Sequence, residues 1–154
     1  MQINIMVTRF NNQTWSENKA WREKHDFKGC IYNSPVNLKN NIPIMSDVYV
    51  IEMNNQENRI EGIGKIKNKI FVDRRYKIYS DNNYNRYTYK GKKRIDRESI
   101  LDTESILDRE STSTLEKLEQ MLFKGKAHLK RGQGISKIPY LKINEFQEFI
   151  VNLL

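Results

Sequence analysis

Rings and cations stand side by side in residues 84–99, whose sequence is YNRYTYKGKKRIDRES. The stretch holds three tyrosines and six basic residues. Aromatic faces stack on nucleic-acid bases with about 1–3 kcal/mol per base, while neighbouring lysines and arginines contact phosphates. This combination favours binding of single-stranded nucleic acid. A sheet strand with tyrosines on one face and lysines on the other is the alternative interpretation.

The charge of the chain is divided into blocks. The net charge is +8, and it arises from zero in residues 1–58, +9 in residues 59–94, −5 in residues 95–119, +6 in residues 120–142 and −2 in residues 143–154. Two basic blocks around an acidic one favour a polyanionic partner for one face, because neutralised phosphates release their counterions. A basic surface that only meets solvent is the alternative.

Composition argues against several classes of protein. Cys30 is the single cysteine, which excludes an internal disulfide, and with only His25 and His128 beside it no zinc ligand set is present. We therefore expect no metal and no cofactor. The chain has no run of about 18 apolar residues and its start lacks the apolar core of a signal peptide, so we expect an intracellular protein without a membrane partner. Its many Asn, Ile and Lys residues are typical of an A+T-rich coding genome, such as that of some large DNA viruses.

The N-terminal part predicts a strand, a helix and a second strand. Apolar and polar residues alternate over residues 3–8, as in a half-buried strand. Thr14 and Glu17 have the spacing of a capping box, which predicts a helix over residues 15–24. The segment GCIYNSP predicts a short strand that ends at Pro35.

The middle of the chain predicts a hairpin and a third strand. The segments DVYVIEM, NNQEN and RIEGIGKIKN have the pattern of strand, turn and strand. Gly62 and Gly64 within the second strand indicate a bulge or the close approach of another backbone. We expect a loop over residues 76–84 and a strand over residues 87–95 in the same sheet.

The C-terminal part predicts helices. Residues 97–111 repeat a hexad, RESILD then TESILD then RES, which we interpret as a local insertion in a single domain that spans residues 1–154. Ser113 or Thr114 is expected to cap a helix that ends before Gly125. An amphipathic helix should close the chain. Together these elements predict an α+β fold, a small curved sheet or barrel with helices packed on it.

Enzyme motifs are incomplete. GCIYNSP is similar to the opening of the GIY-YIG endonucleases, but the second Tyr-x-Gly strand of that family does not follow. The segment FKGKAHLKRGQGI has no Ser or Thr after its Gly-Lys and so does not match a P-loop. Glu52 and Glu61 could form a carboxylate pair, yet they lack a nucleophile or metal partner. We therefore expect a protein that is not an enzyme.

Five segments occur in an order that resembles a known family: IMVTRFNN, KGCIYNSPVNLKN, SDVYVIEMNNQENRIEGIGKIKN, GKKRIDRES and KAHLKRGQGISKIPYLKINEFQEFI. They resemble the YTH domain, a PUA-like module that reads N6-methyladenosine in RNA, and its EVE relatives. In that family the first segment lines the nucleotide pocket and the second supplies a tryptophan to an aromatic cage. Here Ile31 and Tyr32 stand at the place of this tryptophan, and only tyrosines are available for the second wall.

The resemblance implies two sets of site residues. The base pocket would be lined by Asn11, Asn12, Ile31, Tyr32, Asn33, Tyr79, Tyr84 and Tyr87. The nucleic-acid backbone would be held by Arg9, Arg86, Lys90, Lys92, Lys93, Arg94, Lys130 and Arg131.

The expected function is therefore binding of nucleic acid, with single-stranded RNA preferred and a modified base such as N6-methyladenosine as ligand. The alternative is a structural or virion assembly protein that binds nucleic acid nonspecifically through its basic face. A nuclease is a third hypothesis, which incubation of labelled strands with a divalent metal would test.

Overall fold

The structure is a computed structural model that describes residues 3–38, 42–107 and 113–154. Its strands are β1 Asn4–Phe10, β2 Cys30–Ser34, β3 Asp47–Asn54, β4 Arg59–Lys67, β5 Tyr87–Gly91, β6 Lys93–Asp96 and β7 Ser136–Lys137. Its helices are α1 Asn12–Lys24, α2 Arg97–Leu107, α3 Thr114–Phe123, α4 Tyr140–Ile143 and α5 Gln147–Leu153, with 3₁₀ turns at Asn82–Asn85 and Asn144–Phe146. These elements confirm the predicted α+β class.

The strands form two sheets. The larger sheet has the order β6-β4-β3-β1-β7, with β1 and β3 parallel and its other pairs antiparallel. The smaller sheet is the antiparallel pair of β2 and β5. The larger sheet is open within the described ranges, with β6 and β7 at its edges, so the barrel that the sequence allowed as an alternative is not formed.

The single strand predicted over residues 87–95 is wrong. The chain divides at Lys92 into β5, which pairs with β2, and β6, which pairs with β4 in the larger sheet. Gly91 makes this change of sheet possible, because a Cβ on it would lie 1.8 Å from the Lys65 carbonyl oxygen of β4. Only a residue without a side chain can pass the neighbouring backbone so closely.

Each face of the larger sheet has its own core. On one face Val7 packs with Leu118 of α3 and Ile150 of α5, all of them fully buried. On the other face Val50 packs with Ile31 of β2 and Tyr89 of β5. Burial of apolar surface stabilises a fold by about 25 cal/mol per Å². The larger sheet is therefore the middle layer, with α2, α3 and α5 on one side and the small sheet with α1 on the other.

The β3–β4 hairpin is confirmed, and so is the role of its glycines. The strand register shifts between Glu52 and Met53, which places a bulge in the hairpin. A Cβ on Gly64 would lie 2.3 Å from the Tyr32 hydroxyl, so β2 packs directly on this strand. The glycines thus allow the two sheets to approach.

Helix α1 begins earlier than predicted. Its cap is Asn11, whose side chain accepts a hydrogen bond from the Thr14 N–H at 2.8 Å, and the Thr14 hydroxyl accepts from the Asn11 N–H at 3.0 Å. The predicted box of Thr14 and Glu17 is wrong, since the Glu17 carboxylate accepts from the Ser80 N–H instead. Asparagine is as good a cap as serine or threonine, so the helix starts directly after β1.

The C-terminal predictions are confirmed in part. Ser113 caps α3, and Gly125, at φ +80°, follows its end. Helix α2 covers the first part of the hexad repeat and buries Ile100 completely, whereas residues 108–111 of the repeat lie outside the described residues. The closing helix expected over residues 144–154 begins as a 3₁₀ turn and continues as α5, and α4 lies directly before it.

Candidate functional site

A cavity of about 240 Å³ lies where β1 ends. β1 and β3 are parallel, so their carboxyl ends meet at one edge of the sheet, where the Asn55 N–H donates to the Phe10 carbonyl at 2.8 Å. We name this cavity at the end of β1 the Arg9 cavity. Its lining consists of Thr8, Arg9, Phe10, Asn11, Thr14, Asn33, Asn55, Tyr79, Tyr84, Gly132, Gln133 and Gly134.

Arg9 connects the sheet to the basic loop of the C-terminal part. Its Nε donates to the Leu129 carbonyl at 2.8 Å, and its Nη1 donates to the Ser136 Oγ at 2.8 Å. Burial lowers the pKa of the guanidinium from its usual value, but arginine stays charged in proteins. A guanidinium has five N–H donors, so these two bonds leave donors for an anion at the cavity.

Two glycines shape the loop that closes the cavity. Gly132 and Gly134 have φ values of +106° and +68°, in the left-handed region that side chains disfavour. A Cβ on Gly134 would lie 2.2 Å from the Ser34 Oγ, and one on Gly132 would lie 3.4 Å from the Arg9 guanidinium carbon. The segment RGQG therefore lets the loop lie directly against β2 and Arg9.

Tyr79 and Asn33 form a fixed floor. The buried Tyr79 hydroxyl accepts a hydrogen bond from the Asn18 Nδ2 at 3.1 Å, and burial raises the pKa of this tyrosine. The Asn33 Nδ2 donates to the Tyr76 carbonyl at 2.9 Å, while its Oδ1 accepts from the Thr88 hydroxyl at 2.6 Å. These polar side chains are engaged with the protein, so the floor is rigid.

Within the described ranges, the side chains of Tyr84 and Asn55 make fewer hydrogen bonds to the protein than those of Tyr79 and Asn33. Tyr84 lies on the 3₁₀ turn Asn82–Asn85 and is half-buried against the core. The Asn55 Nδ2 donates to the Lys130 carbonyl at 3.0 Å, whereas its buried Oδ1 has no hydrogen-bond partner within the described ranges. A buried acceptor without a partner costs about 1–3 kcal/mol. A ligand that donates an N–H to this oxygen would recover that free energy.

Asn55 was missed by the sequence analysis, together with Thr8, Phe10 and Gln133. Thr8, Phe10 and Asn55 line the cavity because β1 and β3 run parallel and end at the same edge, whereas Gln133 belongs to the RGQG loop. The pattern of the hairpin predicted β3 and its turn, but not the parallel partner. The NNQEN turn directly after β3 was the available signal.

Ile31 and Tyr32 are not in the cavity. Both are fully buried, because β2 is covered on both of its faces. The Tyr32 hydroxyl donates to the Glu52 Oε2 at 2.6 Å. Burial, and then the charge of Glu52, raise the pKa of Tyr32 well above its usual value. The position that resembles the cage tryptophan is therefore a core position here.

Two further predicted base-binding residues also lie outside the cavity lining. Asn12 is exposed at the start of α1, where its N–H donates to the Gln56 side chain at 2.7 Å. Tyr87 is half-buried at the start of β5 and packs against the second core. The cavity thus brings together Asn11, Asn33, Tyr79 and Tyr84 from the predicted set.

Arg94 does not face solvent. Its Nη2 lies 2.7 Å from the Glu52 Oε1, and its side chain is 9% exposed. Its guanidinium also lies 5.3 Å from the centre of the Trp15 ring. Burial alone would lower the pKa of Arg94, but the charge and hydrogen bonds of Glu52 raise it above its usual value. Arg94 therefore neutralises a buried carboxylate.

A second cavity, of about 650 Å³, contains three of the other predicted cations, Lys90, Lys92 and Lys93. We name it the lysine groove. Its lining has six lysines, namely Lys65, Lys67, Lys69, Lys90, Lys92 and Lys93. The remaining lining residues are Phe27, Met45, Asp47, Ile66, Phe71 and Gly91. The groove therefore combines a strong positive charge with an apolar floor.

The two cavities lie at opposite ends of the larger sheet. β3 begins at Asp47 in the lysine groove and ends at Asn54, next to the Arg9 cavity. Eight residues at a rise of about 3.3 Å separate these ends by roughly 23 Å. The predicted backbone contacts are thus divided between two places.

Besides Arg94, three predicted backbone contacts belong to neither lining. Lys130 and Arg131 directly precede Gly132 of the Arg9 cavity. Arg86 is exposed after the 3₁₀ turn, and its Nη2 lies 3.5 Å from the Asn83 side-chain oxygen. Lys130 and Arg131 thus lie at the end of the sheet where β1 ends, and Arg86 follows the turn that carries Tyr84.

A third cavity, of about 500 Å³, lies beside Trp15 and has mixed charge. Its basic lining residues are Lys19, Arg22, Lys28, Arg59, Arg94 and Arg97. Its acidic lining residues are Glu23, Asp26, Glu61, Asp96 and Glu98. Because the charges nearly cancel, this cavity does not favour a polyanion.

No protein-family model, curated protein or solved structure matches this chain. Across the part of the chain that the structure describes, no helix is both long and apolar enough to cross a membrane. In the same residues, no three His, Cys, Asp or Glu side chains are grouped in a way that could hold a metal ion. The function must therefore be argued from the cavities themselves.

Proposed function

We propose that this protein binds single-stranded nucleic acid, with RNA preferred, and holds one base in the Arg9 cavity. The observation that carries this proposal is the meeting of Arg9, Asn11, Tyr79 and Tyr84 in one small cavity of about 240 Å³. Sites for drug-sized ligands usually measure about 300–1,000 Å³. The size therefore suits a single flat ring.

The chemistry of the lining fits a base with an exocyclic amine. The free Oδ1 of Asn55 would accept an N–H from the base edge, and the ring of Tyr84 would supply apolar contact. The unused donors of Arg9 would face a phosphate. A methylated amine such as that of N6-methyladenosine keeps one N–H and adds an apolar group. It is thus the modified base that we propose as ligand, without an enzymatic reaction.

A relationship to the PUA-like modules is part of the same proposal. The support is the order of the five sequence segments and the position of the cavity at the end of β1, the strand that resembles the pocket strand of the YTH domain. An intracellular location, where single-stranded RNA is present, follows from the proposed ligand.

The test is fluorescence anisotropy with matched oligonucleotides of twelve nucleotides, methylated and unmethylated, as RNA and as DNA. We expect the methylated RNA to bind most tightly. Equal affinities for methylated and unmethylated strands would contradict the modified-base proposal. Absence of binding at low salt would contradict nucleic-acid binding altogether.

A pair of tyrosine variants tests the location of the base. Tyr84→Ala removes one wall of the cavity, and the loss of a stacking ring should weaken base preference by about 1–3 kcal/mol. Tyr140→Ala is the matched control, because Tyr140 is 66% exposed and does not line the cavity. Equal effects of the two variants would place the base elsewhere.

The alternative is a structural or assembly protein that binds nucleic acid without base preference. The observation in its favour is that Lys90, Lys92 and Lys93 lie in the lysine groove, apart from the Arg9 cavity. A steep salt dependence together with equal affinity for all sequences would support this alternative.

A further inference from the structure

We infer that the lysine groove is a second nucleic-acid contact, which holds the phosphates of a single strand at the end of the sheet opposite the Arg9 cavity. The inference rests on the proposed function, because it assumes that the polyanion is a nucleic acid. It adds a location, a number of phosphates and a minimum length of strand.

The charge of the groove is largely unpaired. Its lining has six lysines and one aspartate, Asp47. The Asp47 carboxylate lies 3.0 Å from the Lys67 ammonium and 3.9 Å from that of Lys65. The remaining four, which are Lys69, Lys90, Lys92 and Lys93, have no ion pair within the described ranges. Four ammonium groups are therefore available to an anionic ligand.

Aromatic contacts hold two of these ammonium groups at the groove. The centre of the Phe71 ring lies 5.1 Å from the Lys69 ammonium and 4.7 Å from the Lys90 ammonium. The Lys90 ammonium also donates to the Tyr76 hydroxyl at 2.8 Å. Cation–π contacts of this kind contribute about 0.5–1 kcal/mol at exposed sites. They reduce the freedom of long side chains that would otherwise move in solvent.

The strands fix the other cations. Lys65 and Lys67 are on β4, whereas Lys92 lies at the change from β5 to β6 and Lys93 begins β6. Gly91, directly before Lys92, lies in close backbone contact with Lys65 of β4. An ammonium acts as a point charge that binds phosphate without the fork geometry of arginine. The lysines thus suit successive phosphates of a backbone and need no particular base.

The concave shape favours a strand over a membrane surface. A flat anionic surface would meet the rim of this cavity but not the half-buried Phe27 and Phe71 rings that line it. A single strand can place phosphates on the lysines and turn its bases toward these apolar residues. Charge complementarity and shape therefore agree on the same occupant.

The experiment measures how the affinity for a twelve-nucleotide single strand depends on salt. Each phosphate contact with a single strand changes the slope of log K against log salt by about −0.7. We expect Lys92→Gln with Lys93→Gln to reduce the slope by about 1.4. The same relation predicts a loss of about eightfold per lysine at 50 mM salt. The control variant is Lys117→Gln with Lys124→Gln, two exposed lysines at α3 that do not line the groove.

A second measurement uses the length of the strand. A stacked single strand rises about 3.4 Å per nucleotide. Roughly seven nucleotides are therefore needed to span the distance between the two ends of β3. A strand of four nucleotides should therefore bind the Arg9 cavity without reaching the groove. We expect the groove variant to weaken the twelve-nucleotide strand and leave the four-nucleotide strand unchanged.

The outcomes separate this inference from the proposed function. Equal slopes for the groove variant and the control, with base preference retained, would overturn the groove and leave the base cavity standing. Loss of base preference in Tyr84→Ala with an unchanged slope, and a reduced slope in the groove variant, would support both sites. Equal competition by polyglutamate of the same charge would overturn nucleic acid as the occupant. Circular dichroism of each variant shows that the fold is retained.

Discussion

The Arg9 cavity and the lysine groove lie at opposite ends of one sheet, yet they are built in different ways. The cavity is closed by a loop that single side chains hold, through the bonds from Arg9 to Leu129 and from Asn55 to Lys130. The groove is framed by β4, β5 and β6, which backbone pairing holds. The shape of the cavity therefore depends on individual side chains, whereas the shape of the groove depends on the sheets.

A buried polar cluster lies between the two ends. Glu52 is 1% exposed and accepts hydrogen bonds from the Tyr32 hydroxyl and from Arg94. This cluster lies where β2 packs on the larger sheet, so it supports both ends.

The largest effect is expected from Arg94→Leu. The substitution leaves the Glu52 carboxylate buried without its ion-pair partner, and such a loss costs about 3–5 kcal/mol of the free energy of unfolding. Urea denaturation measures the change. Lys28→Gln is the control, since Lys28 and its partner Asp26 are 89% and 87% exposed and contribute almost nothing. Similar midpoints for the two variants would show that the buried pair is not the shared support.

A pair of glycine substitutions compares the two ends directly. In Gly91→Ala the new Cβ would lie 1.8 Å from the Lys65 carbonyl oxygen, a backbone atom that cannot move alone. We expect a loss of about 3 kcal/mol, the upper part of the range for overpacking. In Gly134→Ala the neighbour is the Ser34 hydroxyl, which can rotate, so the left-handed φ remains as a cost of about 1–2 kcal/mol.

Thermal unfolding of the two glycine variants gives the order of their stabilities. A greater loss for Gly134→Ala than for Gly91→Ala would contradict the view that backbone pairing frames the groove and side chains frame the cavity.

A smaller effect is expected from Asn11, which both lines the cavity and caps α1. Asn11→Ala should reduce the free energy of unfolding by about 1 kcal/mol, because the cap is lost. Asn11→Ser should keep the cap and most of that stability. If the amide also contacts the base, both variants lose base preference in the anisotropy assay. If base preference falls in Asn11→Ala but not in Asn11→Ser, Asn11 acts only as the cap of α1.

The smallest effect near neutral pH concerns Cys30, which lies beneath the groove. Its thiol is fully buried and donates weakly to the carbonyl oxygens of Lys65 and Lys93. Burial, and then the charge of Glu52, raise the pKa of the thiol from 9.0 to about 12. The neutral thiol therefore contributes stability that is complete below pH 9 and is lost as the pH rises toward 12.

Reaction with a chromogenic disulfide reagent tests this protection. At pH 8 we expect Cys30 to react slowly in the folded protein and rapidly in urea. A fast reaction of the folded protein would show that the groove end opens more easily than its strand pairing suggests.

The sequence predicted the parts of the fold whose signals are local. The β3–β4 hairpin and the cap of α3 each depend on neighbouring residues, and both are confirmed. The division at Lys92 depends on a distant pairing, that of Tyr32 with Tyr89. The alternation of tyrosines and polar residues ends before Gly91, and the run of cations at residues 92–94 gives no signal of a change of sheet.

The candidate site was predicted in part for the same reason. Arg9 and Asn11 come from a segment that resembles a pocket strand, and they line one cavity together with Tyr84. Ile31 and Tyr32 belong to a strand with five consecutive buried residues. A strand that is covered on both faces gives no alternation to show which residues point toward a cavity. Asn55 required knowledge of the parallel partner of β3.

The parallel pairing of β1 with β3 also has a consequence for the order of folding. Asn4 pairs with Val48 and Phe10 with Asn54, a separation of 44 residues, whereas β3 and β4 are joined by a turn over residues 55–58. Closing a long loop costs more entropy and takes longer than closing a hairpin. Pulse-labelled hydrogen exchange should therefore show protection of β3 and β4 before β1. The wall of the Arg9 cavity would then form after the hairpin, so the cavity that we propose for a base would not exist early in folding.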